Sequence, residues 1–177
     1  VGGGFPADFL DMSERGWDAI LRINLKATFY CTKAVSDHMI KQGHGGSIIS
    51  VASIEGSRAA PGWAVYGACK AGIINFTQTM ALELSKHQIR VTCISPGHII
   101  TPGIPFENAQ ANDNPYARSL PLKRLGTIED MAGTAAFLAS DMSKWVTGIN
   151  ITVDGGAMAA RGWVRDREGT WLTSPSD

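Results

Sequence analysis

Residues 47–70, SIISVASIEGSRAAPGWAVYGACK, lead from an apolar run through a serine to a tyrosine and a lysine. The run from Ser47 to Ala52 is rich in β-branched residues, which is typical of a parallel strand covered on both faces. Tyr66 and Lys70 are four residues apart, so they share one face if they lie on a helix. The stretch therefore predicts a buried strand, a loop and a long helix.

The same stretch contains residue types that suit acid–base chemistry. A phenol has an ordinary pKa of about 10, so Tyr66 needs a partner that stabilises its phenolate before it can exchange protons near neutral pH. The ammonium group of Lys70, one helical turn away, can supply that stabilisation. The hydroxyl of Ser53, directly after the strand, can hold a substrate oxygen. A Tyr-x3-Lys pair alone often arises by chance, whereas the full Ser-x12-Tyr-x3-Lys set is rare.

The rest of the chain predicts alternating helices and strands. A long amphipathic helix begins after Asp11 or Ser13 and ends at Gly43, because apolar residues recur every three or four positions. Residues 100–122 contain four prolines and are predicted to be irregular and mobile. The other predicted elements are a helix from about Trp63 to His87, a strand at Ile89–Ser95, a helix from Thr127 to about Ser140, and a strand at Ile149–Val153. This order predicts a parallel sheet with right-handed crossovers.

Several short motifs occur in a fixed order along the chain. They are Ile23-Asn24-Leu25, the Ser53, Tyr66 and Lys70 set, Pro96-Gly97 followed by Thr101, Leu122-Lys123-Arg124-Leu125-Gly126, and Val153-Asp154-Gly155-Gly156. With them, residues 1 to about 158 resemble the later part of a short-chain dehydrogenase/reductase. The resemblance is specific for the family and only weakly specific for a substrate.

The resemblance implies an α/β fold, namely the C-terminal part of a Rossmann-like doubly wound parallel sheet in three layers (α/β/α), with the first strands missing. We therefore expect an N-terminally incomplete member, with a catalytic portion at 1–158 and a tail at 159–177. Gly2-Gly3-Gly4 follow no predicted strand and open no helix, so they do not replace the family's glycine-rich phosphate turn.

The resemblance also implies a chemistry, in which NAD or NADP exchanges a hydride with a secondary alcohol or ketone. The implied catalytic residues are Asn24, Ser53, Tyr66 and Lys70, with Lys70 lowering the pKa of Tyr66 and Asn24 anchoring a water. The residues expected to contact the cofactor are Tyr66, Lys70, Pro96, Gly97, Ile99 and Thr101. Residues 101–122 would form a lid, in which Ile104, Pro105, Phe106 and Tyr116 favour a partly apolar alcohol or ketone.

Two alternatives remain open beside the oxidoreductase. The chain could be an inactive truncated fragment that pairs with full-length subunits, or a small-molecule binding domain that has lost catalysis. The intact set of Ser53, Tyr66 and Lys70 disfavours the binding domain, since a site without a chemical task does not need it. In the family the two long helices pair subunits, so a homodimer or homotetramer is expected.

Composition limits the possible partners. The chain has 16 basic and 16 acidic residues among 177, which disfavours nucleic acid or an anionic membrane as a partner. The chain has an odd number of cysteines, Cys31, Cys69 and Cys93. They suggest reduced core thiols in a cytoplasmic protein. The histidines lack metal-ligand spacing, so no metal is expected. The charged tail, with Trp163 and Trp171, is predicted either to be disordered or to dock on a neighbouring subunit.

Overall fold

The computed structural model describes residues 2–101, 114–166 and 168–173. Its main sheet has three parallel strands, β1 (Gly46–Val51), β2 (Ile89–Pro96) and β3 (Asn150–Val153), in the order β1-β2-β3. The predicted α/β fold with contiguous parallel strands is confirmed. The predicted strand limits were wrong by a residue at several ends, as element limits usually are.

Within the described residues, six α-helices surround or extend this sheet. They are α1 (Glu14–Leu21), α2 (Ala27–Gln42), α3 (Ala64–Leu84), α4 (Pro115–Ser119), α5 (Ile128–Ala139) and α6 (Ala157–Ala160). Short 3-10 turns occupy Phe9–Asp11, Ile54–Gly56, Ser85–His87 and Asp141–Ser143. A π-helical turn, Arg22–Lys26, joins α1 to α2.

Local capping explains where the helices begin and end. Ser13, one of the two predicted caps, accepts a hydrogen bond from the Gly16 N–H at 3.2 Å and therefore starts α1. Gly43 ends α2 in the left-handed conformation with φ of 70°, which glycine adopts without strain. Thr127 and Asp130 form a capping box at the start of α5, the helix that the sequence predicted from Thr127.

The first long helix differs from the prediction, because it is interrupted at its centre. Within the π-helical turn the Ala27 N–H donates to the Arg22 carbonyl, five residues earlier. The side-chain amide of Asn24 donates to the Ile20 carbonyl at 2.9 Å, taking the place of the Asn24 backbone N–H in a regular helix. A single polar side chain therefore accommodates the irregular turn.

Helices cover both faces of the sheet. Along β2, Val91 packs with Ala81 of α3, and Cys93 packs with Ile73 of the same helix. The side chain of Arg90, on the opposite face, donates to the Leu138 carbonyl in α5 at 2.9 Å. Since neighbouring residues of a strand point to opposite faces, α3 and α5 lie on different sides of the sheet. The three-layer α/β/α arrangement is thus present.

The region from 100 to 122 is only partly described. Residues 102–113, including Ile104, Pro105 and Phe106, lie outside the described residues. The prediction of irregular chain is wrong for Pro115–Ser119, which forms α4. Its helix forms because the Asn114 side chain accepts the backbone N–H groups of Tyr116 and Ala117.

The tail is folded back on its own chain, so the expectation of a disordered terminus is wrong for its described part. Strands β4 (Val164–Arg165) and β5 (Trp171–Leu172) pair antiparallel. The guanidinium of Arg165 lies 4.3 Å from the ring centre of Trp171, and the Asp166 carboxylate accepts the Thr170 N–H at 2.8 Å. Docking of the tail on a neighbouring subunit stays a prediction.

The cysteines follow the expectation in two of three cases. Cys69 and Cys93 are buried free thiols, whereas Cys31 is an exposed residue of α2 and not part of the core. In the described part of the chain, no three His, Cys, Asp or Glu side chains come together as a metal site. No helix there is both long enough and apolar enough to span a bilayer.

Candidate active site

Ser53 lies at the carboxyl end of β1, where it begins the Ile54–Gly56 turn. Its side chain is only 8% exposed, and its hydroxyl oxygen accepts the Glu55 N–H at 3.2 Å. The same side chain acts on the Tyr66 phenol and favours its ionised form, so the serine and the phenol are neighbours. The structure thereby brings together two of the residues that the sequence singled out.

Gly56 allows this turn to rest directly on the backbone of α3. A Cβ atom at Gly56 would lie 2.7 Å from the carbonyl carbon of Lys70 and 2.8 Å from the Ala71 nitrogen. Backbone atoms cannot move aside as a flexible side chain can, so only glycine permits this approach. The contact fixes the distance between the serine turn and the helix that carries Tyr66 and Lys70.

Tyr66 and Lys70 project from the same side of α3, as their spacing predicted. The ammonium group of Lys70 lies 5.3 Å from the centre of the Tyr66 ring and donates to the Val51 carbonyl at 3.1 Å. Trp63 packs edge-on against the tyrosine, with ring centres 5.5 Å apart. Lys70 is only 6% exposed, so its charge is held in place at the end of β1.

The electrostatics differ from the expectation for Tyr66. Burial raises the pKa of Tyr66 and the negative charge of Glu55 raises it further, while the hydrogen bond with Ser53 acts in the opposite direction. Burial also lowers the pKa of Lys70. The expectation that the lysine brings the tyrosine pKa below its usual value is therefore wrong here, because burial and Glu55 outweigh the effect of Ser53.

Asn24 is buried beside the same residues and holds the N-terminal segment. Its side-chain amide donates to the Gly3 carbonyl at 2.7 Å, and its side-chain oxygen accepts the Gly3 N–H at 3.2 Å. A Cβ at Gly2 would lie 2.9 Å from the Asn24 oxygen and 3.5 Å from the Lys70 ammonium. The sequence analysis gave the glycine run no role, yet the run borders the site. The three consecutive glycines were the feature of the sequence that could have indicated such a close approach.

The Pro96-Gly97 turn lies at the carboxyl end of β2, beside the end of β1. The Gly97 N–H donates to the Val153 carbonyl at 2.9 Å, and Ile99 forms a parallel bridge with Gly126. Thr101 is exposed after this bridge. Ligands of doubly wound sheets bind outside the carboxyl ends of the strands, which is where these residues and Lys70 are found.

His98 is a neighbouring residue that the motif analysis did not assign, although it directly follows the Pro-Gly turn. Its ring stacks on Tyr116 with centres 5.0 Å apart. Burial lowers the pKa of His98, as does the positive charge of Arg58. Arg58 in turn makes a 2.7 Å ion pair with Glu55. Arg58 and His98 also line a cleft next to the Ser53 turn.

Comparison with known proteins agrees with this geometry. A family model described as enoyl-(acyl carrier protein) reductase matches residues 1–158. The chain belongs to the short-chain dehydrogenase/reductase family. Within this family it is 43% identical over 145 residues to a 3-oxoacyl-(acyl-carrier-protein) reductase of Thermotoga maritima, a match that covers 82% of the chain and 58% of that relative.

Two further relatives of the chain carry the names of different dehydrogenases. A (3R)-3-hydroxyacyl-CoA dehydrogenase of Rattus norvegicus is 41% identical over 83% of the chain and 56% of its own length. The structure of a gluconate 5-dehydrogenase from Burkholderia cenocepacia, in complex with NADP and tartrate, has a TM-score of 0.82 at 29% identity, covering 90% of this chain and 63% of that one. The chain thus spans little more than half the length of these curated relatives.

Substituting alanine for Gly56 tests how the candidate site is held together. Gly56→Ala should destabilise the chain by roughly 1–3 kcal/mol, because the new methyl group overlaps backbone atoms of α3. Gly133→Ala is the matched control, since a Cβ at this exposed position of α5 meets nothing within 4 Å. It should stabilise the chain by about 0.5–1 kcal/mol, as alanine is the better helix former. Urea unfolding of both variants measures the difference, and equal stabilities would refute the close contact.

Proposed function

We propose that the complete protein is an NAD(P)-dependent oxidoreductase that interconverts a secondary alcohol and a ketone. The observation that carries the proposal is that the buried ammonium of Lys70 lies 5.3 Å from the centre of the Tyr66 ring, while the turn begun by Ser53 rests on the backbone of α3 at Lys70. Relatives named as a reductase of 3-oxoacyl groups and a dehydrogenase of 3-hydroxyacyl groups support this reaction type.

In this mechanism each residue has a separate task at the substrate oxygen. For ketone reduction Tyr66 donates its phenolic proton to that oxygen, and Ser53 donates a hydrogen bond to the charge developing there. In the oxidation direction the Tyr66 phenolate accepts the proton. Because burial and Glu55 raise the pKa of Tyr66, they disfavour the phenolate, so the free site favours proton donation. Asn24 fixes the glycine segment and, we propose, anchors a water for proton exchange.

The cofactor that fits this site is a nicotinamide dinucleotide, which supplies or accepts the hydride when bound. Residues at the carboxyl ends of β1 and β2 would hold its nicotinamide half, namely Tyr66, Lys70, Pro96, Gly97, Ile99 and Thr101. In this proposal the ammonium of Lys70 would bond the ribose hydroxyls while it faces the Tyr66 ring. The gluconate 5-dehydrogenase relative was solved with NADP, which supports NADP beside NAD as a cofactor.

An inactive fragment that pairs with complete subunits is the second candidate. The chain covers 58% of its Thermotoga relative, and in the described part of the chain β1 has a neighbouring strand on one side only. Helices α2 and α3 expose large apolar or aromatic side chains, including Tyr30 at 72% and Leu82 at 79%. The oxidoreductase would pair through these helices as a homodimer or homotetramer, and the fragment would use them to pair with complete subunits. A cytoplasmic location remains a prediction.

Replacing the catalytic phenol gives the direct test of the proposed reaction. In the complete protein, Tyr66→Phe should lower ketone reduction by roughly 10²–10⁴, since a general acid is lost while the ring is kept. Tyr30→Phe, which removes an exposed hydroxyl on α2, should leave the rate unchanged. Oxidation of NADH and NADPH at 340 nm follows both variants. Turnover near the unmodified rate in Tyr66→Phe would overturn the assignment.

The pH dependence of alcohol oxidation tests the electrostatics. This direction needs the Tyr66 phenolate, so its rate should rise with pH through the tyrosine pKa. Removing the negative charge with Glu55→Gln should lower that pKa and move the rise to lower pH, because Glu55 raises it and the released Arg58 adds a positive charge. Glu83→Gln, on an exposed position at the far end of α3, serves as the control. A rise that stays in place would show that Glu55 does not act on the tyrosine.

A further inference from the structure

A cleft of about 540 Å³ borders the candidate site on the side of the C-terminal segment. One wall is formed by Ser57 and Arg58, which directly follow the serine turn, together with His98 after the Pro-Gly turn. The opposite wall is formed by residues of α6 and the start of the tail, from Ala157 to Val164, and by the end of α4. The tail is therefore part of a cleft that reaches the Ser53 turn.

Charged groups in this cleft are mainly positive. Arg58 and Arg161 both line it, and Glu55 compensates Arg58 through hydrogen bonds from two guanidinium nitrogens, at 3.3 and 2.7 Å. His98 contributes little positive charge, because burial and Arg58 lower its pKa. The cationic group left uncompensated is Arg161, which forms no ion pair within the described residues.

The backbone at Arg161 is unusual for a residue with a long side chain. It has φ of 32° and ψ of 56°, in the left-handed region that favours glycine or asparagine, and it ends α6. Its Nε donates to the Met158 carbonyl at 3.1 Å, which orients the guanidinium at the cleft. Strained positions occur at ligand-binding sites more often than elsewhere, so this outlier points to a task for the arginine.

The remaining walls of the cleft are largely apolar. Leu120 is only 4% exposed, and Ala157, Met158 and Val164 add aliphatic surface. Trp163 lines the same wall and is about half exposed. A charged hydrogen bond gains strength near apolar surface, because water screens it less. Such walls suit a substrate with a short hydrocarbon body between its reacting carbon and an anionic end.

We propose that this cleft binds an anionic oxygen group at the non-reacting end of the substrate, through Arg161 with support from Arg58. A planar guanidinium presents paired donors that match the oxygens of a carboxylate or a phosphate ester. The inference rests on the proposed function, since the bound molecule is the substrate of the Ser53, Tyr66 and Lys70 site. It assigns the tail a role in substrate selection.

Matched substrates test this proposal in the complete protein. Initial rates are compared for 4-oxopentanoate and its methyl ester, and for (2-oxopropyl)phosphonate and its dimethyl ester, with pentan-2-one as an uncharged ketone. We expect the anion to exceed its ester by at least about tenfold in kcat/KM, mainly through a lower KM, as a charged hydrogen bond contributes that much. The pair with the larger ratio tells a carboxylate from a phosphate-type group.

Substitutions test whether Arg161 causes the preference for the anion over its ester. Arg161→Gln should reduce the ratio of anion to ester to near unity, whereas Arg161→Lys should retain part of it. Lys123→Gln is the matched control, because Lys123 is another exposed cation with positive φ, at 54°, and it does not line the cleft. This control should keep the full ratio.

The outcomes separate the two proposals. Equal kcat/KM for each anion and its ester, with clear turnover, would overturn the anionic end and leave the oxidoreductase intact. A preference that survives in Arg161→Gln would equally overturn the role of this residue. Absence of turnover with every ketone and both cofactors would contradict the proposed function itself, and the inference with it.

Discussion

The site depends on the close contact between the turn after β1 and the backbone of α3. Ser53 follows a strand and Tyr66 lies on a helix, so bringing the two side chains together requires that two independent elements meet at a fixed distance. Gly56 allows the turn to rest on the backbone at Lys70, and the Lys70 ammonium binds back to the Val51 carbonyl at the end of the strand. Strand, turn and helix are therefore locked at the place where the chemistry is proposed.

Burial is the second condition that shapes the site, and it shifts the pKa of Tyr66 in the direction opposite to the one that the sequence suggests. A lysine one turn from a tyrosine suggests a lowered phenol pKa. In the folded chain both groups lose contact with water, which raises the pKa of Tyr66 and lowers that of Lys70. The nearby carboxylate of Glu55 adds to the effect on the tyrosine. In the proposed reaction, cofactor and substrate would enter this desolvated environment and change the charges around Tyr66.

The sequence predicted the elements with strong local signals. β-branched runs, helical spacing and the caps at Ser13, Gly43 and Thr127 are local properties, and the alternation of helices and strands predicted a parallel sheet. The π-helical turn at Asn24 could not be predicted, because it depends on a bond to Ile20 that competes with the regular helix. The tail hairpin and the Arg161 cleft were also missed, since they arise from contacts between distant segments. Family motifs located Ser53, Tyr66 and Lys70, but not the roles of Glu55 and His98 around them.

Isotope transfer tests the central claim most directly. The complete protein is incubated with NADH or NADPH deuterated at the C4 position that donates the hydride, together with pentan-2-one, 4-oxopentanoate or an acetoacetyl thioester of N-acetylcysteamine. If Ser53, Tyr66 and Lys70 form an oxidoreductase site, mass spectrometry will find deuterium on the new carbinol carbon, and Tyr66→Phe will form this product far more slowly. An alcohol product without deuterium at that carbon, or label transfer at the same rate in Tyr66→Phe, would contradict the account.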